Sequence, residues 1–272
     1  MNSIENFLKD IKIYDCGLSK VRIGNKSDGG YITLHEINKN CSTLCSFGVE
    51  DNVTFELDFV DKYSDCSVKL FDHTVKSLPQ EHPNFTFFKK GVGPKTFDNF
   101  ISLSEIISEC EDNITLKMDI EWDEWKTLES LSDKELKKID QLIVEFHIVG
   151  IDVEEKFILS KDPDTMLTPY FSSFYKSVYE KLTFDIFQHY SEVMKKINGH
   201  FYAFHIHPNN SLRKVEIGGF IFPPLLEICF VRKDLIQDVK LSKEEYPIEG
   251  LDYPNKPYKE ELKDYYPLVK KK

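Results

Sequence analysis

Ile114-Thr-Leu-Lys-Met-Asp119 and Gln141-Leu-Ile-Val-Glu-Phe146 decide how this chain folds. Each is a short, largely apolar run of strand length, with charged residues at or just past its end. Between them, Glu124 to Leu131 and Asp133 to Ile139 carry the spacing of helices. Strand, helix, strand predicts a βαβ unit and a parallel sheet. Crossovers of that kind are right-handed, which puts helices on both faces. Upstream, Ser42 to Gly48, Val68 to Phe71 and Phe85 to Phe88 add three strands. Helices are expected over Val53–Tyr63 and Phe100–Ile107, from apolar residues that share one face. Downstream, Phe184 to Ile197 is an amphipathic helix stopped at Asn198-Gly199. Phe201–Ile206 and Leu225–Val231 follow as two last strands, expected to pair antiparallel. The expectation is an α/β fold with a seven-stranded, mostly parallel sheet, a reversed last hairpin and helices on both faces. Residues 1–40 read as an N-terminal extension, with the strand-like Tyr31 to Leu34 after the Asp28-Gly-Gly turn. Residues 151–182 read as an insertion rich in aromatic side chains, among them Tyr170, Phe171, Phe174, Tyr175 and Tyr179. The tail from Lys240 is rich in Pro and Lys and receives no element. No repeat or linker divides the 272 residues, so a single domain is expected.

Composition narrows the function. Acidic residues outnumber basic ones 46 to 35, and the net charge is −11. So acidic a chain has no global field for phosphate backbones, which argues against nucleic acid as the main partner. No run approaches the 18 or so apolar residues of a membrane span. The start, MNSIENFLKD, lacks the pattern of a secretory signal. Six scattered cysteines form no disulfide framework, and a cytoplasmic location is expected. Cys41 and Cys45 have no second ligand pair nearby and read as buried thiols rather than a zinc site.

In open α/β sheets the ligand sits beyond the carboxyl ends of the strands. Those ends carry Gly48-Val-Glu-Asp51, Asp72, Gly91-Val-Gly93, Asp119-Ile-Glu121 and Glu145-Phe-His147. Gly48 allows close backbone approach, and Asp72, 24 residues on, stands where an acid can take ribose hydroxyls. The fingerprint G-x-G-x-x-G is absent. Glu50 and Asp51 are a poor cradle for pyrophosphate and suit a cationic ligand without phosphates. The plainer alternative is that Gly48 makes a turn and Asp72 caps a helix. Asp119 is read as functional, whereas Asp123 and Glu124 are read as acids facing a helix N-terminus. Glu145 and His147 alternate along one strand end and share a face. His205 and His207 do the same before Asn209 and Asn210, and His207 is the stronger functional candidate. His35, His73, His82, His189 and His200 are read as ordinary.

Taken together these segments resemble the FkbM-like, S-adenosylmethionine-dependent methyltransferases, in particular the branch that methylates sugars. The similar pieces are Arg22-Ile-Gly24 with Asp28-Gly-Gly-Tyr31, Ser46-Phe-Gly-Val-Glu50, Leu70-Phe-Asp72, Leu116-Lys-Met-Asp-Ile-Glu121, Val144-Glu-Phe-His147, His205-Ile-His-Pro-Asn-Asn210 and Leu251-Asp-Tyr-Pro-Asn-Lys-Pro257. The resemblance implies the class I methyltransferase Rossmann-like fold. It implies that Gly48 and its neighbours Ser46, Phe47 and Glu50 hold the methionine part of S-adenosylmethionine, Asp72 the ribose, and Gly91 and Val92 the adenine, with Asp119 also among the cofactor-binding residues. The acceptor implied is a sugar hydroxyl of a glycan or nucleotide-sugar. Asp28, Tyr31, Glu121, Trp122, Glu145, His147, Asn209 and Asn210 are expected around it, with His207 or Asp119 as base. Oxygen donors at Asp119 and Glu145 would also suit a divalent cation such as Mg²⁺. Deprotonation without metal by His147 or His207 is the alternative. Trp122 and Pro208 depart from the family, which often has Gly at both places. Two other readings compete. A nicotinamide-dependent sugar dehydrogenase would need a Gly-rich phosphate loop, and its Tyr-x-x-x-Lys pair occurs only as Tyr266 and Lys270. A non-catalytic glycan-binding protein of the same fold is the other.

Overall fold

A computed structural model describes residues 2–148, 169–217, 219–265 and 267, with the side chains of 2, 169–184, 216 and 217 outside the description. The seven expected strands form one sheet: β3 (Thr43–Phe47), β4 (Ser67–Phe71), β5 (Phe85–Phe88), β6 (Ile114–Met118), β7 (Ile139–His147), β8 (Phe201–Pro208) and β9 (Leu225–Arg232). Their order is β8-β9-β7-β6-β3-β4-β5. Neighbours from β5 to β7 run parallel, whereas β9 runs antiparallel to both β7 and β8. The last strand of the sheet thus inserts, reversed, between β7 and β8. This is the strand order of the class I methyltransferase fold.

Alternation along the strands builds two cores. Cys45, Phe47, Leu116, Met118, Leu142, Val144 and Phe146 face one side. There they meet α1 (Asn2–Asp10), α3 (Leu103–Ser108), α4 (Glu124–Ser130) and α6 (Pro169–His200). Leu44, Val68, Leu70, Ile143 and Cys229 face the other side. They are covered by α2 (Thr54–Lys62) and a hairpin of β1 (Lys20–Gly24) and β2 (Gly30–Leu34). Phe7, Trp125, Phe187 and Tyr190 interlock where α1, α4 and α6 meet, with Trp125 stacked on Tyr190 at 4.1 Å between centroids.

Three expectations change. The helix expected from Phe100 begins only at Leu103, because Phe100–Ser102 pairs as a strand with Gly91–Gly93, and Ser102 caps the helix by accepting from Glu105 N. The helix expected from Phe184 starts at Pro169 and runs to His200. Of the insertion, 151–168 and the side chains of 169–182 lie outside the described residues, as do Tyr266 and Lys270. Residues 1–40 are not an appendage: Ile4, Phe7, Leu8, Ile23 and Leu34 are core residues. All six cysteines are buried and free; Cys41 touches Cys66 at 3.4 Å and Cys45 touches Cys110 at 3.8 Å.

Candidate active site

The winding of the sheet reverses between β3 and β6, and two strand ends meet there. Gly48 has φ +71°, and a Cβ on it would lie 1.7 Å from the Asp119 carbonyl oxygen. Only glycine fits. The close approach expected at Gly48 is therefore first of all an approach to Asp119. Asp119 N donates to Phe47 O, and Lys117 Nζ donates to Gly48 O at 2.8 Å, which ties the loop down. Glu50 and Asp51 are exposed at its rim.

Asp72 ends β4 and organises this loop. One carboxylate oxygen accepts from Val49 N and Glu50 N, the other from Thr74 N and Thr74 Oγ1. Burial opposes its charge, but those hydrogen bonds, Thr74 foremost, hold its pKa below the ordinary value. Its four lone-pair directions are filled from within the protein, so a ribose would have to compete for them. Ser46 and Phe47 lie further down β3, inside the sheet. The Ser46 hydroxyl donates to buried Glu56, and Phe47 packs on Phe71 with centroids 5.4 Å apart. Neither faces the crevice, because a side chain one or two residues before the strand end is still covered by a layer. Val92 is likewise core, and a Cβ on Gly91 would strike the Phe100 ring.

A compact polar cluster sits at the ends of β6 and β7. Ligand atoms of Asp119, Glu145 and His147 all lie within 4.8 Å of one another. Asp119 Oδ1 is sequestered from solvent and has no hydrogen-bond partner among the described residues. Glu145 is buried, with both carboxylate oxygens 3.1 Å from Asn209 Nδ2. His147 Nδ1 lies 3.1 Å from buried Glu124, and Nε2 lies 3.1 Å from Glu121, whose side chain is 73% exposed. Glu124 also accepts from Ile120 N at 3.0 Å, so it holds the loop and the imidazole together. Burial raises the Asp119 carboxyl to about 7 against the pull of Lys117 and His147. It raises Glu145 further, aided by Asp119 and Glu227. Burial alone would lower His147, but Glu121 and Glu124 push it up to about 11. Tyr31 is buried against Phe55, beneath Lys117, and its hydroxyl is raised by burial and by Asp119, Glu145 and Glu227.

Glu121 and Trp122 both adopt left-handed backbone, with φ +53° and +85°. A side chain as large as tryptophan is strained there, and Gly would not be. Trp122 is partly compensated by its ring, which lies 5.2 Å from that of His147.

His207 does not reach a free position. Register places Glu145 opposite Glu227, and Glu227 opposite His207, in one row across three strands. His207 Nδ1 lies 3.3 Å from Glu227 and Nε2 lies 3.2 Å from Glu261. Burial disfavours the charged ring, yet these two carboxylates raise it to about 10. With Glu227 against one ring nitrogen and Glu261 against the other, His207 presents no free nitrogen to an acceptor hydroxyl, which disfavours the base role expected of it. Asn209 and Asn210 are also committed internally. Asn209 orients Glu145, and Asn210 donates to the Lys256 carbonyl and accepts from Lys256 N. Asp28, expected near the acceptor, pairs with Lys256 at 3.0 Å.

The partners of these strand-end groups come from the tail, which received no element although 251–257 is one of the similar segments. Asp252 lies 2.8 Å from His205, Asn255 donates to Glu227 at 2.8 Å, and Glu261 reaches His207. Arg22 donates to Leu251 O, and its guanidinium sits 5.2 Å from the Tyr253 ring. Lys117 and Glu227 were also missed. Each is a charged side chain within a largely apolar strand, which is the pattern that could have marked it.

No protein-family model matches the chain, and no curated protein matches it. Among solved structures it is similar to a tryptophan-to-alanine mutant of the 16S rRNA (adenine(1408)-N(1))-methyltransferase from Catenulisporales acidiphilia. The identity is 10%, over 81% of this chain and 99% of that one, with a TM-score of 0.32. A likeness that distant carries no argument about function. Among the described residues, no helix is long and apolar enough to cross a membrane.

Proposed function

We propose that this protein is an S-adenosylmethionine-dependent O-methyltransferase acting on a sugar hydroxyl of a glycan or nucleotide-sugar. The observation that supports it most is the group of carboxylates at the switch point of a sheet with class I strand order. Glu50, Asp51, Asp119 and Glu121 surround the place where such sheets bind ligand. A cationic sulfonium with an α-ammonium group suits these carboxylates, and a dinucleotide pyrophosphate does not. When bound, S-adenosylmethionine supplies an electrophilic methyl: the acceptor oxygen forms the new O–C bond, and the S–C electron pair stays on sulfur. The residues of the chain align the acceptor and take its proton. With His207 locked, the acceptor's proton goes to Asp119, whose Oδ1 is unengaged. Tyr31, Glu121 and Trp122 border that carboxylate and are assigned to the acceptor side.

Thermal denaturation with S-adenosylmethionine, its demethylated product and NAD tests the reading. At about a hundredfold excess over Kd, bound cofactor adds about 2.7 kcal/mol, a rise in Tm of roughly 5–10 °C. A shift with NAD alone favours the dehydrogenase, and no shift with any sulfonium overturns the proposal. Asp119→Asn should lose on the order of 10²–10⁴ in turnover of a labelled methyl group to a nucleotide-sugar panel.

A further inference from the structure

We infer that Asp119, Glu145 and His147 form a binding site for one divalent first-row metal ion beside the methyl-transfer crevice. Three observations carry this. Their donor atoms lie within 4.8 Å of one another, close enough to converge on a single ion. Asp119 Oδ1 is sequestered and has no partner among the described residues, which a protein interior rarely leaves unanswered. Finally, the two other donors are already oriented by groups behind them. Glu124, wholly buried, holds His147 Nδ1 and so directs Nε2 outward. Asn209 holds Glu145 and is itself fixed by accepting from Ser211 N at 2.8 Å. A carboxylate behind a ligating histidine, and an amide behind a ligating carboxylate, are the outer-shell contacts that metal ligands have.

The contact that stands in the way is replaceable. His147 Nε2 is paired with Glu121, whose side chain is largely exposed on a strained backbone. Glu121 can turn to solvent at little cost, whereas Glu124 cannot. Two carboxylates with one imidazole suit Mn²⁺, Fe²⁺ or Zn²⁺ better than Mg²⁺, because nitrogen is a poor ligand for the harder ion. A cation there would occupy Asp119 Oδ1 and, in place of the base role given to that oxygen in the metal-free site, supply Lewis acidity to an acceptor oxygen. That role rests on the methyl-transfer reading; the binding does not.

Mn²⁺ is the probe, followed by loss of its free-ion paramagnetic resonance signal on titration with the full chain, without S-adenosylmethionine. One ion per chain is expected. Asp119→Asn and Glu145→Gln should each weaken binding at least tenfold, with far-ultraviolet circular dichroism unchanged. Glu121→Gln keeps the fold because the residue is exposed, and it separates a site from a diffuse acidic surface. The site predicts equal or tighter binding in Glu121→Gln, since a competitor for His147 is lost; a diffuse surface predicts weaker binding. Binding absent at millimolar Mn²⁺, or unaffected by Asp119→Asn and Glu145→Gln together, overturns the site. Mn²⁺ binding without any response to S-adenosylmethionine would keep the site and overturn the methyltransferase instead.

Discussion

Trp122 shows how one side chain can occupy a backbone state meant for another. At φ +85° a residue with a Cβ costs about 1 kcal/mol more than Gly. What offsets it is the ring on His147, not the backbone. Trp122→Ala removes the ring and keeps the strain; Trp122→Gly removes both. The Gly variant should therefore be more stable than the Ala variant by about 1 kcal/mol in urea unfolding, and the reverse order would show that the turn is not strained. His207 makes a second prediction. Its pKa is raised to about 10, above the unfolded value of roughly 6.5. A raised pKa contributes stability that is complete below the unfolded value and is lost as pH rises toward the folded one. Between pH 7 and 10, unfolding midpoints of the native chain should fall more steeply than those of His207→Gln. Equal slopes would mean that Glu227 and Glu261 do not hold the ring charged.

At the scale of elements, the C-terminal segment from 242 to 265 acts as a strap over the ends of β7, β8 and β9. Burial lowers His205, which lies against the Asp252 carboxylate; both side chains are 1% exposed. Asp252 stays ionised because, against the effect of burial, His205 holds its pKa down. Removing the acceptor leaves a buried imidazole without its partner. Asp252→Ala should cost about 2–3 kcal/mol, the scale of a hydrogen bond to a charged group. It should also increase proteolytic cleavage within the strap, as a segment deprived of an anchor opens more often. A loss below 0.5 kcal/mol would show the strap to be held chiefly by Asn210, Asn255 and Glu261.

For the whole molecule, the sheet is the rigid frame, and its centre is covered on both sides. Every residue of β3, β6 and β7 is buried, whereas β5 is an edge strand with no buried residue. Amides of β6 and β7 should exchange with solvent only through global unfolding. Those of β5 should exchange at least tenfold faster, by local opening. Uniform protection across β5 and β6 would contradict this hierarchy. The crevice belongs to the rigid centre, since Gly48 and Asp119 cap β3 and β6, so its geometry is fixed before ligand arrives.

The chain's own pattern was enough for the sheet. Alternating apolar runs at Ile114–Met118 and Gln141–Phe146 have only one way to bury both faces, and the helices between them leave only parallel pairing. The same reasoning put Asp119, Glu145 and His147 at strand ends, where backbone direction alone places them. What it could not supply was the partner of each polar group, because partners come from register and from distant segments. That Glu145, Glu227 and His207 stand in one row is decided by the antiparallel insertion of β9 between β7 and β8. That both nitrogens of His207 are engaged is decided by Glu261, 54 residues away in a tail without periodicity. Ser46 and Asp72 likewise looked like ligand contacts, yet folding gives them Glu56 and the amides of Val49 and Glu50. Periodicity encodes which face of an element is buried; only tertiary packing decides which charge meets which, since a buried charge takes the partner that the completed fold brings within reach.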